Sequence, residues 1–419
     1  MKKRIISLVL SLIIIFNAFS LVSCIDFPYN GNPSEDNSEP IVIEGINNPE
    51  KYNSFEISEE KLRAALKEAL NKIDYAIPSF INKFPAHNST NNIYPAVENN
   101  SGWNTGFWTG ILWHAYELTD NAKYKNIATY QISSFHHRIE NKIGVNHHDM
   151  GFVFTPSCVA AYKLTDNKIA KEAALMAADH LITRYHEKGE FIQAWGTVGA
   201  DNNYRLIVDC LLNIPLLYWA SEVTGDSKYR DIAYKHFVTT VNVCYRADGS
   251  TYHTYYFDKK TGAPVKGVTA QGASDDSTWS RGQAWALYGF VLAYINSGRT
   301  EFLDTAKRVA HYFIANITEG ELPLVDFRAP AEPVYYDSSA ASIAACGLIE
   351  IAKAVPEHEA KIYERAAMKL LRVLDENCNY NPDELRLLEN GSSAYHKPTG
   401  MHMPWIFGDY YLLEALMKL

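Results

Sequence analysis

The chain has 419 residues, with 39 lysines and arginines against 48 aspartates and glutamates, for a net charge of −9. Hydrophobic residues make up 47% and charged residues 21% of it, a balance that excludes a disordered chain, a collagen and a multi-span membrane protein. The acidic excess argues against a nucleic-acid partner, because proteins that bind nucleic acids normally carry a basic face.

The first 23 residues have the pattern of a bacterial secretory signal. Basic residues at positions 2–4 precede an apolar run from Ile5 to about Phe19, and these are the charged and hydrophobic regions of a signal peptide. The run ends in the sequence LVSC, which resembles a lipobox and predicts that Cys24 becomes a lipidated first residue. An ordinary signal peptide that ends near a cysteine is the alternative.

Residues 24–56 are rich in Pro, Asn and Ser and predict a flexible tether without a core. Together with the signal, they predict an exported bacterial lipoprotein in the periplasm or at the outer-membrane or cell surface. Acyl chains anchor a protein without crossing the bilayer, so we expect membrane contact through the lipid alone.

Residues 57–419 repeat one unit, which is a helix, a tight polar break and a second helix. Three of the breaks read TDN, TDN and TGD, in which Thr or Asp can cap the second helix and Gly can close the first. Helical periodicity predicts twelve helices: Ser58–Ile77, Phe107–Leu118, Lys123–Ile139, Gly151–Leu164, Ile169–Tyr185, Tyr204–Val223, Lys228–Val243, Thr278–Tyr294, Glu301–Ile317, Ser338–Ala354, Glu357–Asp375 and Pro404–Met417.

Twelve helices in hairpins predict an all-α fold with a single catalytic domain, the (α/α)6 barrel, in which one ring of helices encloses another. An open helical array is the alternative. The segments Gly110–Trp113 and Ile207–Trp219 are apolar on nearly all sides, as expected of an inner ring. Polar residues within such segments are informative, because burying them costs free energy unless they are paired or used.

Besides Cys24, the chain has five cysteines, an odd number that argues against a full disulfide framework. Three of them, Cys158, Cys210 and Cys346, lie in apolar helical runs and are predicted to be small buried residues. The sequence contains no pair of cysteines with zinc-site spacing and no HExxH, P-loop or GxGxxG motif.

Two aspartates are candidate catalytic groups. Asp209 lies among aliphatic residues in RLIVDCLLNIP, where a carboxyl should have a raised pKa and suit a general acid; an Asp bonded to neighbouring backbone or to Arg205 is equally compatible. Asp149 lies at a predicted helix start, where it could instead cap the helix. A metal site at His147-His148-Asp149 is disfavoured, because adjacent residues rarely ligate one ion together and no third ligand is evident.

Arg281 and Trp285 are four residues apart on one predicted helix and therefore share a face. A guanidinium beside an indole could clamp a carboxylated sugar, with the cation pairing with the acid and the ring stacking on the sugar. A structural ion pair and a core Trp are the alternative. Trp103, Trp195 and His253 lie in other stretches dense in polar and aromatic residues, in links or at helix starts, where binding residues concentrate.

Eight stretches of the sequence carry a family resemblance. In order, from about residue 57 to 419, they are GWNTGFWTGILWHAYE, NHHDMGF, FIQAWG, RLIVDCLLN, STYHTYYFD, STWSRGQAWALYGF, YYDSSAASIAACGLIEIA and FGDYYLLEAL. Together they resemble the unsaturated glucuronyl hydrolases of glycoside hydrolase family 88.

The resemblance implies an (α/α)6 barrel and a reaction. Members of that family remove the 4,5-unsaturated uronic acid that polysaccharide lyases leave at the non-reducing end of their products. Water adds across the C4=C5 vinyl ether, the resulting hemiketal opens, and the aglycone leaves. The resemblance implies no metal and no organic cofactor.

Matching positions imply roles for individual residues. Asp209 would be the general acid/base that delivers a proton to C4 and handles the attacking water. Asp149 would stabilise the positive charge that develops at C5, or attack there, and the sequence does not separate these two roles. The implied substrate-binding residues are Trp103, His148, Trp195, His253, Gly267, Thr269, Gln271, Arg281, Trp285, Ser338 and Ser339.

The chain departs from the pattern of that family at two positions. An acidic residue is common near Thr105, and a polar one is common where Ala270 stands. Both positions are expected at the rim of the site, where they affect sugar preference more than activity. The loop 390–397 is a candidate for recognising the second sugar, with Lys397 available for a sulfate; a solvated loop is the alternative.

Three other functions are compatible with the sequence. One is a conventional inverting glycosidase, in which two carboxylates flank an activated water. Another is the sister activity on unsaturated rhamnogalacturonides, and the third is a glycan-binding lipoprotein with an inactive barrel, which loss of either aspartate motif would favour. Both motifs are present. As an exo-acting enzyme, the protein is expected to work downstream of a polysaccharide lyase without direct contact.

Overall fold

The computed structural model describes residues 57–90, 93–318, 320–381, 384 and 386–419. The predicted signal peptide, Cys24 and the tether lie outside these residues. No described helix combines the length and the apolar character that a membrane crossing needs.

Helices account for most of the described residues. The α-helices are α1 (Glu59–Phe80), α2 (Thr105–Thr119), α3 (Ala122–Glu140), α4 (Met150–Phe154), α5 (Ala160–Thr165), α6 (Lys168–Ile182), α7 (Pro215–Thr224), α8 (Ser227–Cys244), α9 (Ser280–Ser297), α10 (Thr300–Ala315), α11 (Ser338–Ala354), α12 (Glu357–Glu376) and α13 (Ile406–Met417). A π-helical turn, Thr155–Val159, joins α4 to α5, so the described part of the chain holds twelve helical runs.

The helices form two rings. The inner ring consists of α2, the α4–α5 run, α7, α9, α11 and α13, which are buried on most sides. The other six helices each bury one side and expose the other. Inner helices pack on their neighbours in chain order, and α13 packs on α2. This contact closes the ring, so the predicted (α/α)6 barrel is confirmed, because an open array would keep α13 away from α2.

The polar breaks turn the chain, but at the TDN breaks the cap is Asn and not the predicted Thr or Asp. Asp120 ends α2 in the left-handed region, at φ 53°, and the next residue, Asn121, accepts a hydrogen bond from the Lys123 N–H at 3.0 Å and caps α3. The TGD break uses Gly225 at φ 75° and Asp226 as the cap of α8. Each break therefore stops one helix and starts its partner.

Within the described residues, three small antiparallel sheets fill the links between helices. They pair β1 (Phe84–Pro85) with β2 (Ala96–Val97), β3 (Tyr185–His186) with β4 (Phe191–Ile192), and β5 (Arg205–Ile207) with β6 (Thr254–Phe257) and then β7 (Pro264–Val268). The third sheet is central to the site, because its strands lead into Asp209 and His253.

The first half of the predicted helix Tyr204–Val223 is wrong. Residues 205–207 form β5, the next five form a 3-10 turn, Val208–Leu212, and only α7 is α-helical. Both faces of this segment are buried, so its apolar run contains no periodicity that separates a strand from a helix. Pro215 is at the first position of α7, where its missing N–H is tolerated.

The five cysteines of the described residues are free, and four of them are buried. This confirms the prediction for Cys158, Cys210 and Cys346.

Candidate active site

Asp149 and Asp209 lie close together in two links that lead into helices of the inner ring. Asp149 immediately precedes α4, and Asp209 lies in the 3-10 turn before α7. His148 Nε2 lies 3.3 Å from Asp149 Oδ1 and 3.3 Å from Asp209 Oδ1. The His148 side chain is completely buried, whereas 20% of the Asp209 side chain is exposed. Asp209 is therefore the member of the pair that a substrate can approach, with His148 and Asp149 behind it.

Both structural alternatives for these aspartates are wrong in part. The Asp149 side chain makes no capping hydrogen bond to α4. Arg205 makes no hydrogen bond or ion pair with Asp209, and its Nη1 donates to the hydroxyl of Tyr256 at 2.8 Å. Backbone hydrogen bonds at Asp209 and Cys210 do reach the Asp209 carboxyl, so that part of the alternative holds. Asp209 Oδ1 is buried and has no hydrogen-bond partner among the described residues. An unpaired buried carboxyl oxygen costs free energy, which is typical of a functional group rather than a structural one.

Asn213 links the two aspartate segments, and sequence reasoning missed it. Its Nδ2 donates to Asp149 Oδ1 at 3.4 Å and to the Asp209 carbonyl at 3.3 Å, while its Oδ1 accepts from the Phe152 N–H at 2.7 Å. A Cβ added at Gly151 would lie 2.2 Å from Asn213 Cα, so only glycine allows this approach. A buried amide within the apolar RLIVDCLLN stretch was the available signal.

The two carboxyls have opposite pKa shifts. Burial, with the Asp149 charge added to it, raises the pKa of Asp209 well above its ordinary value. Burial also opposes ionisation of Asp149, but the adjacent imidazoles of His148 and His147 and the hydrogen bond from Asn213 outweigh it, and the Asp149 pKa is lowered. Burial lowers the pKa of His148 to about 4. The surroundings therefore favour the protonated form of Asp209, the ionised form of Asp149 and the neutral form of His148.

One ligand atom each of His148, Asp149 and Asp209 lies within 4.8 Å of the others, so these side chains could also approach a metal ion. The sequence argument that no third ligand is evident is incomplete, since Asp209 supplies one. Carboxylates ligate metals in the ionised form, whereas burial here favours the protonated form of Asp209.

Trp195 stacks on His147, with ring centroids 4.7 Å apart and an interplanar angle of 22°. Arg184 holds the backbone on both sides of Trp195. Its Nε donates to the Gln193 carbonyl at 2.8 Å, and its Nη2 donates to the Gly196 carbonyl at 2.9 Å. Trp195 remains 38% exposed, so a positioned indole is available for stacking on a sugar.

His253, Thr269 and Gly267 lie at or near one end of the β5–β6–β7 sheet. His253 Nδ1 accepts the Ala270 N–H at 3.0 Å, so the neutral ring carries its proton on Nε2, and burial lowers its pKa to about 3. Thr269 Oγ1 accepts the Gly272 N–H at 2.8 Å. A Cβ at Gly267 would lie 2.4 Å from the Tyr252 ring, which explains the glycine. His253 is therefore a neutral donor at the pocket.

Arg281 forms the structural ion pair that the sequence left as an alternative. Its Nη1 lies 2.7 Å from Asp337 Oδ2 and donates to Ser339 Oγ at 2.9 Å. It also holds the 390–397 loop, through the carbonyls of Ser392 at 2.8 Å and Ser393 at 3.0 Å. Contact of Arg281 with a substrate stays a prediction.

Other predicted substrate-binding residues also hydrogen-bond the 390–397 loop or its Arg281–Asp337 support. Gln271 Nε2 donates to the Ser393 carbonyl at 2.7 Å, and the Ser338 N–H donates to the Asn390 carbonyl at 3.1 Å. The Ser339 hydroxyl also bonds Asp337 Oδ1 at 2.5 Å. These contacts position the loop, and direct contacts of the three side chains with a sugar stay predictions.

Aromatic rings join the remaining candidates into one cluster. The Trp103 centroid lies 5.4 Å from that of Phe407 and 5.8 Å from that of Phe152, and Trp285 lies 5.1 Å from Phe152. Trp285 is only 2% exposed, which fits the core-Trp alternative, whereas Trp103 is half-buried. Phe152 and Phe407 were not singled out from the sequence.

The site agrees with what comparisons with known proteins find. Residues 72–398 match Glycosyl Hydrolase Family 88. The chain belongs to this family. It is 42% identical to an unsaturated chondroitin disaccharide hydrolase of Streptococcus agalactiae serotype III (strain NEM316) over 390 residues, which cover 91% of this chain and 97% of that protein.

Two further similarities support membership of family 88. An unsaturated glucuronyl hydrolase of Bacillus sp. (strain GL1) is 39% identical, over 85% of this chain and 96% of that protein. The crystal structure of unsaturated glucuronyl hydrolase from Streptococcus agalactiae superposes with a TM-score of 0.85 at 42% identity, and it covers 90% of this chain and 97% of that one.

One departure from the family 88 pattern does not lie where it was expected. Thr105 is buried, 2% exposed, and its hydroxyl bonds Asn100 Oδ1 at 2.6 Å and Arg138 Nη1 at 3.0 Å. It therefore belongs to a buried polar network behind the pocket and not to its rim. Ala270 is exposed, as expected.

Proposed function

We propose that this protein is a glycoside hydrolase that removes a 4,5-unsaturated uronic acid from the non-reducing end of oligosaccharides. Its family and the names of its relatives support this activity. The observation that carries it is the pairing of a partly exposed Asp209 with a buried Asp149 across His148, in which burial favours the protonated form of Asp209 and the neighbours of Asp149 favour its ionised form. Protonation of a vinyl ether at carbon needs an acid that keeps its proton at neutral pH.

The reaction follows from this pairing. Asp209 gives its proton to C4, and the C4=C5 double bond supplies the electrons for the new C–H bond. Positive charge develops at C5, where ionised Asp149 stabilises it. Water then attacks C5, and the Asp209 carboxylate takes the proton of that water. The product is a hemiketal, which opens and releases the aglycone, and Asp209 is again protonated.

The separation of the carboxyls argues against a conventional inverting glycosidase. That mechanism places a water between two carboxyl groups about 6.5–9.5 Å apart. Here the facing atoms of Asp149, Asp209 and His148 all lie within 4.8 Å of one another. A pair this close fits joint action on one reacting centre better than action from either side of it.

We further propose that the pocket holds the unsaturated ring among the residues implied by the family. Trp103 and Trp195 would stack on it, and neutral His253 would donate a hydrogen bond. The loop 390–397 would contact the second sugar. Lys397 is exposed on that loop and would pair with a sulfate on the second sugar.

We also propose that the protein is an exported lipoprotein, anchored at Cys24, that acts on products of a polysaccharide lyase. The signal-like start and the LVSC sequence support the anchor. Replacing Cys24→Ser should release the protein from the membrane fraction of the expressing cell. Retention of the variant in that fraction would contradict lipid anchoring.

The test of the activity uses the chromophore of the substrate. The purified protein is incubated with lyase-made unsaturated disaccharides, and the near-ultraviolet absorbance of the conjugated alkene is followed. We expect loss of absorbance together with release of the neighbouring sugar. Stable absorbance on every unsaturated disaccharide, with cleavage of a saturated glycoside, would contradict the proposed reaction.

A further inference from the structure

The β5–β6–β7 sheet points one end at the catalytic pair. Its register pairs Ile207 with Thr254 and Thr254 with Val268. His253 directly precedes this rung, and Asp209 follows it by two residues. The rung therefore marks the edge of the sheet that lies nearest the reacting groups.

Two residues away from that rung on each strand lies a second row. Arg205 pairs with Tyr256, and Tyr256 pairs with Lys266. Cross-strand partners share one face of a sheet, and a rise of about 3.3 Å per residue puts this row roughly 7 Å from the rung. We call Arg205, Tyr256 and Lys266 the cationic row.

The cationic row lies on the face of the sheet opposite an apolar cluster, at the end away from the buried Ile207 and Thr254. The alternate residues Leu206, Tyr255 and Phe257 turn to the other face, where they pack with Phe191 and Val243 in an apolar cluster. In the cationic row, Lys266 is exposed and the other two residues are half-buried. The row is therefore accessible from the solvent side.

Arg205 is held in place but its charge is not neutralised. Its Nη1 donates to the Tyr256 hydroxyl at 2.8 Å, and its Nε is buried without a hydrogen-bond partner among the described residues. Within that part of the chain, neither Arg205 nor Lys266 has a carboxylate within 4.0 Å. Arg281, by contrast, is paired with Asp337 at 2.7 Å.

The charge of Arg205 also reaches the pocket. After burial, Arg205 is the largest cause that lowers the pKa of His253. A half-buried guanidinium without an anionic partner, beside a site that acts on a charged sugar, is suited to a ligand that supplies the missing anion.

We propose that the cationic row binds an oxyanion of the substrate, which is either a sulfate ester or a sugar carboxylate. The planar fork of Arg205, oriented by Tyr256, pairs with two oxygens of the anion, and Lys266 adds a point charge beside it. The row is separate from the 390–397 loop, so it provides a second site of charge selection. This inference rests on the proposed function, because the anion is carried by the sugar at the catalytic pair.

The test compares two lyase-made disaccharides that differ only by a sulfate on the hexosamine. KM and kcat are measured for the wild type, R205Q, K266M and the control R308Q, which removes an exposed charge on α10. We expect R205Q to raise KM for the bound anion about ten-fold, since a hydrogen bond to a charged group is lost. K266M should act in the same direction and more weakly, and kcat should stay unchanged.

Comparison of the two substrates shows whether the bound anion is the sulfate or the carboxylate. A KM increase limited to the sulfated disaccharide assigns the row to a sulfate, and an equal increase for both assigns it to a carboxylate. The proposal is wrong if R205Q and K266M behave like R308Q on both substrates, or if they lower kcat and leave KM unchanged. Because Lys266 is exposed, K266M tests the row even if R205Q folds poorly.

Failure of the proposed function would be visible in the same experiment. If the wild type hydrolyses neither disaccharide, the proposed function is wrong. Titration calorimetry of both disaccharides against wild type and R205Q then tests the row by itself. A weaker Kd for R205Q would support it, and equal values would overturn it.

Discussion

Asp149 and Asp209 are the same residue type in contact with the same imidazole, yet their surroundings shift their pKa values in opposite directions. The Asp149 carboxyl accepts a hydrogen bond from Asn213, has the His147 and His148 imidazoles at 3.3 Å and is almost fully buried. In the Asp209 segment the carboxyl has backbone hydrogen bonds at Asp209 and Cys210 but no side-chain donor, and its Oδ1 makes no hydrogen bond among the described residues. Local donors, and not burial alone, therefore decide which carboxyl is the acid.

The largest expected effect comes from removing either carboxyl. We expect Asp209→Asn to lower kcat about 1,000-fold or more, because the proton donor is lost. Asp149→Asn should lower kcat by a similar factor, because the charge that stabilises C5 is lost. The rate of absorbance loss of the unsaturated disaccharide measures kcat of both variants. Near-normal kcat in both variants, with circular dichroism like that of the wild type, would show that the catalytic pair is assigned to the wrong residues.

Asn213→Ala sharpens the comparison, because it removes a donor from Asp149 and leaves both carboxyls in place. We expect kcat/KM to fall about 10- to 100-fold, the cost of one or two unsatisfied buried groups. With less stabilisation of its charge, Asp149 should have a higher pKa, so the acid limb of the pH–rate profile should move to higher pH.

A matched control separates this effect from simple destabilisation. Gln283 is a buried amide on α9 that donates to the carbonyls of Gly249 at 2.8 Å and Val309 at 3.0 Å. Gln283→Ala should lower stability without moving the acid limb. If both variants moved the limb equally, Asn213 would have no specific role at Asp149.

The sequence predicted the fold further than it predicted the site. Capped breaks such as Asp120-Asn121 are local signals, and they gave the helical hairpins and their closure into a ring. The strand at Arg205 was missed, because an apolar segment buried on both faces carries no period. Asn213 and Asp337 were missed for a different reason: each acts across the fold on a residue distant in sequence, and one sequence contains no record of such pairs.

Stability should respond to the two aspartates with opposite signs. The lowered pKa of Asp149 means that its charge stabilises the fold above the unfolded pKa of about 3.9, so Asp149→Asn should lower Tm at pH 7. The raised pKa of Asp209 means that stability is lost as the pH rises from that value toward the folded pKa, so Asp209→Asn should raise Tm. Each shift should be on the order of 2 °C at pH 7. The Asp209 shift should shrink toward pH 4, whereas the Asp149 shift should largely persist at pH 4, because it is lost only as the pH falls from about 3.9 through the folded pKa.

Calorimetry at pH 4 and pH 7 measures these shifts. Shifts of the same sign in both variants would mean that the two carboxyls do not differ in protonation as described.

The smallest expected effect concerns metals. Because a carboxyl must ionise to ligate a metal, an ion held by His148, Asp149 and Asp209 would remove the proton that Asp209 has to donate. We therefore expect a chelator to leave kcat unchanged, and added Zn²⁺ to inhibit more strongly as the pH rises, since it competes with that proton. Loss of activity with chelator, restored by one metal, would show that Asp209 serves as a ligand and that the acid is a different group.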